Sequence, residues 1–356
     1  MNRVVAFGEI MGRLAAPRFQ RFRQAMPGSL EMTFAGAEAT VAVNIAQLGG
    51  QAAFVTALPE HAIADACIAN LASTGVDTSH MVRTGNGRLG LYFLESGVDQ
   101  RPYEVVYDRQ GSSVAITPAD AYDWNAIFDG AAWFHFTGIT PALSANAAHV
   151  TRVALAEASR RGVRVSMDMN YRSKLWNWSP PQTARELARQ TIAELLPQID
   201  VFIGGLDDAS ELLGVRAAAD ALDPPGDVAR QLGERYPRLT HVAMSLRESI
   251  SATQTRWGGM LYVCKADEAF RAPVVEGRYQ PYAIMQIIDR LGTGDAFAAG
   301  LIFALLTPEL AAPQTAVEFA VAAGCLAHSI EGDFNFSTRA EIESLAGGAA
   351  GGRVRR

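Results

Sequence analysis

Short runs rich in β-branched and aromatic residues alternate along this chain with longer runs rich in alanine and leucine. The short runs are apolar at successive positions, which is typical of strands that are buried on both faces of a sheet. Parallel strands need crossover connections, so the alternation predicts an α/β fold with a mostly parallel sheet and helices on both faces. Ligands bind such sheets beyond the carboxyl ends of the strands. The expected strands are 4–7, 53–58, 133–137, 163–169, 201–203, 241–246 and 261–264, and the expected helices are 37–48, 62–73, 145–160, 183–196, 228–235, 296–306 and 315–329.

Residues 13–32 and 89–107 interrupt this alternation. The first segment is polar and has no helical period, and the second contains two strand-like runs, 91–95 and 104–107. We expect both segments to pair into a small separate β layer that forms a lid over the site, since long ordered insertions often cover binding sites. The alternative is a surface hairpin without such a role. The predicted α/β core comprises residues 1–12, 33–88 and 108–345, and the Gly-, Ala- and Arg-rich residues 346–356 are predicted to form a disordered tail.

The charge balance argues against polyanionic partners. Among 356 residues, 31 Lys and Arg stand against 37 Asp and Glu, a formal net charge of −6, so we expect no nucleic-acid or membrane partner. The longest apolar run, residues 296–306, is shorter than the roughly 20 residues that a membrane-spanning helix needs. Cys67, Cys264 and Cys325 are widely spaced and odd in number, which favours a reducing compartment. These features predict a cytoplasmic protein.

The strongest local motif is Asp289-Arg-Leu-Gly-Thr-Gly-Asp295, which runs directly into an apolar helix. Gly292 and Gly294 permit a sharp turn, after which the amides of Thr293, Gly294 and Asp295 point outward from a helix N-terminus. Such a terminus suits an anion, for example a phosphoryl group in transfer. Asp295 beside it could take a proton from an attacking hydroxyl. The alternative is a glycine turn whose aspartate only caps the helix. The spacing matches neither a P-loop nor a dinucleotide-binding Gly-x-Gly-x-x-Gly.

Two further clusters contain groups suited to a polyhydroxy acid. A hydrophobic strand ends in Met167-Asp-Met-Asn-Tyr-Arg172, where Arg172 could bind a carboxylate through two hydrogen bonds. Tyr107 and Arg109 lie at the end of the predicted lid, and Tyr92 lies on its earlier strand. Each cluster has a plain structural alternative, which is an arginine paired with a structural aspartate in the first and ordinary surface side chains in the second.

Taken together, these segments resemble the ribokinase-like, phosphofructokinase-B-type carbohydrate kinases over residues 4–335, and within them the branch that phosphorylates 2-keto-3-deoxygluconate. The stretch from Asp289 to Gly300 resembles the family's second signature, and Phe34-Ala-Gly-Ala-Glu resembles its first. Gly90-Leu-Tyr-Phe-Leu-Glu, Thr137-Gly-Ile-Thr-Pro-Ala-Leu143 and Asp168-Met-Asn-Tyr-Arg172 resemble the sugar-acid branch. The resemblance implies a three-layer α/β/α fold with a mostly parallel central sheet and a small β-sheet lid, and it implies ATP and Mg²⁺ as cofactors.

The resemblance also implies roles for individual residues. Asp295 would be the catalytic base, with Gly292, Thr293 and Gly294 as the anion hole. The implied sugar-acid contacts are Gly36, Tyr92, Tyr107, Arg109, Arg172, Asp295 and Asp333, and the implied ATP contacts are Asn170, Arg172, Ser245, Leu246 and Gly292 to Gly294. Asp289 lies near where relatives bind a monovalent cation such as K⁺. Asp208 lies in Gly205-Leu-Asp-Asp208, where the family has Asn-x-x-Glu, and it would hold Mg²⁺ through water.

We therefore expect an ATP-dependent kinase that acts on the primary hydroxyl of 2-keto-3-deoxygluconate. One alternative is a related kinase for another sugar or sugar acid, such as a fructokinase-like enzyme. Another is a sugar-acid-binding paralogue with weakened catalysis, which the changed Gly205–Asp208 motif favours and the retained Asp295 opposes. We also expect a homodimer formed through the lid, because isolated β-hairpins are marginally stable and two lids can cover each other's apolar faces.

Overall fold

A computed structural model describes residues 3–348. The strands are β1 (Arg3–Phe7), β2 (Met11–Ala15), β3 (Glu31–Ala35), β4 (Ala52–Val55), β5 (Ala57–Pro59), β6 (Val82–Thr84), β7 (Gly90–Glu95), β8 (Glu104–Asp108), β9 (Ala131–Thr137), β10 (Arg164–Asp168), β11 (Val201–Ile203), β12 (His241–Ser249), β13 (Thr255–Val263), β14 (Glu268–Ala272), β15 (Val274–Val275), β16 (Arg278–Tyr279) and β17 (Tyr282–Ile284). The helices are α1 (Phe22–Ala25), α2 (Ala37–Gln47), α3 (Ala62–Ser73), α4 (Ser113–Ile116), α5 (Trp124–Ile127), α6 (Ile139–Ala142), α7 (Ala145–Arg160), α8 (Ala184–Leu195), α9 (Leu206–Asp208), α10 (Pro224–Arg235), α11 (Thr293–Leu306), α12 (Pro313–Ala327) and α13 (Arg339–Ala346).

The main sheet has nine strands in the order β14-β13-β12-β11-β10-β9-β1-β4, with β17 also paired to β13. The six strands from β12 to β4 in this order run parallel. β13 is antiparallel to β12, and both β14 and β17 are antiparallel to β13. The prediction of a mostly parallel sheet is confirmed. The antiparallel extension is longer than the short run 261–264 expected there.

Two hydrophobic cores lie on opposite faces of this sheet. In β1, Val4 and Ala6 belong to one core and Val5 and Phe7 to the other, and all four are at most 1% exposed. Buried apolar residues from α2, α11 and α12 belong to the first core, and buried apolar residues from α7, α8 and α10 belong to the second. Neighbouring residues of a strand are therefore buried in different cores, so the sheet is covered on both faces, as the apolar runs in the sequence predicted.

A separate four-stranded sheet has the order β3-β2-β7-β8. β2 pairs with β3 in the antiparallel sense and with β7 in the parallel sense, and β8 is antiparallel to β7. The prediction of a small second β layer is confirmed, and we refer to this sheet as the lid sheet. The predicted lid segment 13–32 is slightly too short. The lid sheet begins at Met11, two residues before the predicted start, and β3 ends at Ala35, three residues after the predicted end.

Two local predictions differ from the structure. The single strand expected at 53–58 is divided at Thr56, because β5 leaves the main sheet and pairs with β6 in a sheet of its own. Ala346, which was assigned to the predicted tail, is the last residue of α13, and residues 349–356 of that tail lie outside the described residues. Within residues 3–348, no helix is long and apolar enough to cross a membrane.

Candidate active site

A cleft of about 860 Å³ opens at the carboxyl ends of the parallel strands. Asp168 at the end of β10, Ile203 at the end of β11 and Ser245 within β12 line one side of it, and the N-terminus of α11 lines the other. Parallel strands with short polar loops after them bring residues from distant parts of the chain to this one edge, which is where α/β sheets bind ligands.

The N-terminus of α11 is free of side-chain capping. Its N-cap is Gly292, which has φ = 77°, and no side chain within residues 3–348 caps the helix with a hydrogen bond. A Cβ at Gly292 would lie 2.1 Å from the backbone oxygen of Asp333, whereas a Cβ at Gly294 would meet nothing within 4 Å. Gly292 is therefore required by both backbone conformation and close packing. The uncapped amides of Thr293, Gly294 and Asp295 face an open cleft, which is the arrangement that binds anions.

Asp295 lies in the first turn of α11 and lines the cleft. Burial raises the pKa of Asp295 well above its ordinary value, and the negative charges of Asp168, Asp333 and Glu38 raise it further, while Arg172 opposes the shift. A carboxylate whose charge is poorly compensated in this way is a candidate general base.

Two more carboxylates share the cleft with Asp295. Burial raises the pKa of Asp168 to about 7, with a further contribution from Asp208. Burial also raises the pKa of Asp208, although its carboxylate accepts a hydrogen bond from the amide of Gly205 at 3.0 Å. Within residues 3–348, no three His, Cys, Asp or Glu side chains form a complete metal site. Two oxygen ligands with unneutralised charge fit Mg²⁺, which keeps several waters and binds the remaining positions through phosphate oxygens.

Four arginines line the same cleft, namely Arg172, Arg247, Arg256 and Arg290. Burial, together with the positive charges of Arg290 and Arg172, lowers the pKa of Arg247. Arg172 is exposed, and among the residues that the structure describes its guanidinium donates a hydrogen bond only to the backbone oxygen of Tyr171, at 3.1 Å. The mutual repulsion of these guanidinium groups favours a polyanion bound between them.

The floor of the cleft on the β12–β13 side is apolar. Trp257 and Phe297 line it, and their rings lie 6.4 Å apart in an edge-to-face arrangement. Trp257 donates a hydrogen bond from its indole nitrogen to the backbone oxygen of Val321 at 2.9 Å. Ser245 and Leu246 lie beside this floor on β12. The Trp257 and Phe297 rings are both only 1% exposed, so they support the cleft from beneath and leave the surface to Ser245 and Leu246.

A buried cluster joins the lid sheet to the loops around α11. Arg13 of β2 donates a hydrogen bond to Asp333 Oδ1 at 2.6 Å and also pairs with Asp289. Tyr92 of β7 donates to the same Asp333 oxygen at 2.9 Å. Asp289 accepts further hydrogen bonds from the amides of Leu291 at 3.1 Å and Gly332 at 3.2 Å. The prediction that Asp289 binds a monovalent cation does not fit this geometry, because the Arg13 guanidinium already occupies the position of a cation beside its carboxylate.

Arg109 lies beside this cluster but is not a free cation. Its guanidinium forms a buried ion pair with Glu9, and its Nε has no hydrogen-bond partner among the described residues. Tyr107 is 45% exposed, lies 5.9 Å from the Tyr92 ring and has the Arg109 guanidinium 5.5 Å from its centroid. The structure therefore brings Tyr92, Tyr107, Arg109 and Asp333 together as expected, but it shows Arg109 with a carboxylate partner of its own.

Gly36 and Glu38 form the base of this region. A Cβ at Gly36 would lie 2.1 Å from the backbone oxygen of Glu9, so only glycine permits this approach. Glu38 is 1% exposed and accepts hydrogen bonds from Thr137 Oγ1 at 2.7 Å and Thr140 Oγ1 at 2.6 Å. Burial nevertheless raises the pKa of Glu38.

Sequence reasoning missed four of these groups. Arg13, Glu9 and Glu38 received no role, and Asp168 was quoted only as part of a motif. Glu38 is the one charged residue on α2, and a single charge on a mostly apolar helix is a signal that could have been used. Arg13 and Glu9 carry no comparable local signal, since their partners are distant in the sequence.

Comparison with known proteins agrees with this geometry. Residues 1–246 match the pfkB family carbohydrate kinase family. A 2-dehydro-3-deoxygalactonokinase of Haloferax volcanii is 32% identical over 98% of each chain, and a 2-dehydro-3-deoxygluconokinase of Bacillus subtilis is 26% identical over 96% of this chain and 94% of the relative. The crystal structure of a 2-dehydro-3-deoxygluconokinase from Thermotoga maritima has a TM-score of 0.88 and 38% identity, covering 97% of this chain and 98% of that one.

Three observations lead to the same assignment. They are the uncapped helix terminus that carries Asp295, the ribokinase-like fold, and the family match over more than half of the chain. The chain belongs to the PfkB family of carbohydrate kinases.

Proposed function

We propose that this protein transfers the γ-phosphoryl group of ATP to the primary hydroxyl of a 2-keto-3-deoxy sugar acid, 2-keto-3-deoxygluconate or its galactonate epimer. The proposal rests above all on Asp295, a carboxylate of raised pKa at the uncapped N-terminus of a buried helix. The names of the relatives support the substrate class, since proteins similar over nearly the whole chain are named for these two epimers.

Asp295 is proposed to take the proton of the attacking hydroxyl. Its raised pKa makes it a stronger base than an ordinary aspartate once it is ionised. The amides of Thr293, Gly294 and Asp295 would stabilise the charge on the transferring phosphoryl group, because they are fixed donors in a site that the lid can close. When Mg²⁺ is bound with ATP, it neutralises charge on the phosphate oxygens, and Asp168 and Asp208 would hold it through water.

The cleft and the lid cluster are proposed to bind the two substrates separately. ATP would lie between the loop after β10 and the N-terminus of α11, with its phosphates near Asn170 and Arg290 and its base beside Ser245 and Leu246. The sugar acid would lie between Asp295 and the lid cluster, with its hydroxyls on Gly36, Tyr92, Tyr107 and Asp333. Arg172 and the unpartnered Nε of Arg109 are the proposed donors to its carboxylate.

A second candidate substrate is a neutral ketose. The ion pair between Arg109 and Glu9 favours it, because that pair leaves less positive charge for a substrate carboxylate. Fructokinases also resemble this chain, for example one of Oryza sativa that is 26% identical over 87% of it.

We also propose that the protein is a cytoplasmic homodimer that pairs through the lid sheet. Met32 on β3 and Val106 on β8 are 43% and 48% exposed, and both strands are edges of the lid sheet. A second copy that covers these side chains would remove apolar surface and exposed strand edges from water.

The test is ADP release measured over a panel of keto-deoxy sugar acids and neutral ketoses, with the wild type and Asp295→Asn. We expect turnover with a keto-deoxy acid and a loss of at least about 10²-fold in kcat for the variant, with sugar binding in calorimetry within about tenfold because the residue size is kept.

Asp207→Asn is the matched control, because Asp207 lines the same cleft but is exposed. Near-normal turnover by folded Asp295→Asn would exclude Asp295 as the base. Sugar-acid binding to the wild type without any turnover would instead indicate a binding paralogue.

A further inference from the structure

The side chain of Arg13 contacts two carboxylates that lie next to the N-terminus of α11. It is 4% exposed and bridges Asp289 and Asp333 through separate nitrogens of one guanidinium. Asp289 begins the loop that leads into α11, and Asp333 packs its backbone oxygen against Gly292, the N-cap of α11. Arg13 itself is in the middle of β2, a central strand of the lid sheet.

The charge balance of this cluster depends on Arg13. Two carboxylates lie within reach of one guanidinium, and no second Lys or Arg among the described residues pairs with either of them. Burial alone would lower the pKa of Arg13, but Asp333 and Asp289 outweigh it and raise that pKa, so the guanidinium is permanently charged. A buried guanidinium with two carboxylates is a strong, directional contact, whereas its removal would leave two like charges facing each other.

We propose that Arg13 is an internal cation that takes the place of a bound monovalent ion at Asp289 and fastens the lid sheet to the two loops that form the anion hole. Arg13 is then a positioning residue, because it acts on the reaction through Asp333 and Gly292 and not on the substrates. The enzyme therefore needs no K⁺, and the lid cannot leave the site without breaking this contact. The proposal rests on the proposed function for its kinetic consequences alone.

The decisive experiment compares Arg13→Ala and Arg13→Lys with Arg101→Met as the matched control. Arg101 is also a partly buried lid arginine, but it pairs with Glu95 and with the backbone oxygen of Phe19, away from α11. Hydrogen exchange needs no turnover, so it is measured first, on the ligand-free proteins. We expect faster exchange in β2, β7 and residues 289–292 for Arg13→Ala, and an effect confined to the lid edge for Arg101→Met. Arg13→Lys keeps the charge but not the fork, so we expect intermediate exchange.

Guanidinium rescue provides the second readout. Arg13→Ala leaves a space of the size of the lost group. Guanidinium ion at roughly 20 mM, well below denaturing levels, is therefore expected to slow hydrogen exchange again. We expect Arg13→Ala to lower kcat/KM by about 10²-fold or more and the added ion to raise it again by at least about tenfold. The additional change Asp289→Asn is expected to abolish this rescue, because it removes one of the two charges that would bind the ion.

The wild type is assayed with K⁺ replaced by tetramethylammonium. We expect its melting temperature and its turnover to be unchanged within error. A K⁺ requirement of the wild type would overturn the internal-cation proposal, and equal exchange in Arg13→Ala and Arg101→Met would overturn the fastening role. If no sugar acid is turned over at all, the proposed function fails, while the exchange data still decide the role of Arg13.

Discussion

Asp168 and Asp295 hold their protons more tightly in the folded protein than in the unfolded chain, because burial and neighbouring carboxylates disfavour their charged forms. A carboxyl group with a raised pKa destabilises the fold as soon as it ionises, so the free energy of unfolding falls as the pH rises from about 4 through the folded pKa. For Asp168 that range ends at about pH 7. The site thus keeps charges that cost stability, as functional sites often do.

We predict that Asp168→Asn stabilises the ligand-free protein at pH 8 and has little effect at pH 4. The amide can still accept the hydrogen bond that the Asn170 backbone donates to Oδ1 at 3.1 Å, while the buried charge is removed. Calorimetry should show a melting temperature raised by about 2 °C or more at pH 8. Asp207→Asn, whose carboxylate is exposed, should change little at either pH. An equal gain at both pH values would contradict the electrostatic explanation.

Loss of Arg172 and loss of Arg109 should have different effects on KM and on stability. Arg172→Leu is predicted to raise KM for the sugar acid by about 10-fold or more, since a hydrogen bond to a charged group contributes about 1.5–3 kcal/mol, with little change for a neutral ketose. Arg109→Leu removes the partner of buried Glu9, so we expect lower stability as well as a higher KM for the acid. Steady-state kinetics with both substrate classes, together with melting curves, test this prediction.

The double variant Arg109→Leu/Glu9→Gln removes the unpaired charge and serves as the control for stability. If Arg172→Leu and the double variant weaken acids and neutral sugars equally, neither arginine recognises a carboxylate.

Residues of the site could be predicted from the sequence where the signal is local. Gly292 and Asp295 lie in one seven-residue motif that leads into a helix, so spacing alone indicated an anion site. Arg13 and Asp333 are 320 positions apart, and Arg109 and Glu9 are 100 apart. Nothing in the sequence around Arg13 distinguishes it from a surface arginine, because its partners are set by how the lid sheet docks.

Among the elements, the start of α11 contains two glycines, Gly292 and Gly294, that we expect to respond differently to substitution. Gly294→Ala is predicted to fold with unchanged or slightly higher stability, since its Cβ meets nothing within 4 Å and alanine is a better helix former by up to about 1 kcal/mol. Its methyl group would occupy the mouth of the anion site, so we expect kcat to fall by at least about tenfold.

Gly292→Ala should instead lose stability, because φ = 77° and the 2.1 Å approach to Asp333 both exclude a side chain. Melting curves measured alongside turnover distinguish the two variants. A Gly294→Ala protein with normal kcat would show that the amides at this terminus do not contact the transferring group.

Elements with a strong local pattern were predicted closely. The helices at 62–73 and 145–160 match α3 and α7 in both bounds. β13 was mostly missed because Gly258 and Gly259 interrupt its apolar run, and glycine is depleted in strands. These glycines are explained only by contacts from elsewhere, since a Cβ at Gly258 would lie 2.3 Å from the Tyr279 hydroxyl and one at Gly259 would lie 2.7 Å from Val321.

At the scale of the whole molecule, the lid sheet predicts both an oligomeric state and a response to ligand. We expect light scattering of the free protein to give the mass of a dimer, because a second copy would bury the exposed apolar side chains of β3 and β8. Hydrogen exchange in residues 89–107 should slow when sugar acid is added, since the substrate would contact Tyr92 and Tyr107 from below.

Met32→Lys and Val106→Lys place charges on the proposed interface and should yield monomers. Ile63→Lys is the control, because Ile63 is 52% exposed on α3, outside the lid sheet. A monomeric wild type whose lid exchange is insensitive to sugar acid would contradict both halves of this prediction.

The burial of α11 also sets an order in which activities disappear when the protein is heated or treated with denaturant. Ten of its 14 residues are buried, so the helix that carries Asp295 can unfold only with the whole core. The lid sheet has a hydrophobic cluster of just four buried residues, so it can separate at a much smaller free-energy cost. A partly unfolded form should therefore exist in which the α/β core keeps most of the nucleotide cleft, residues 289–292 have lost their contact with Arg13, and the sugar site is absent. Such a form would still bind ATP but could no longer select what is phosphorylated, and it would transfer phosphate to water if it transferred it at all.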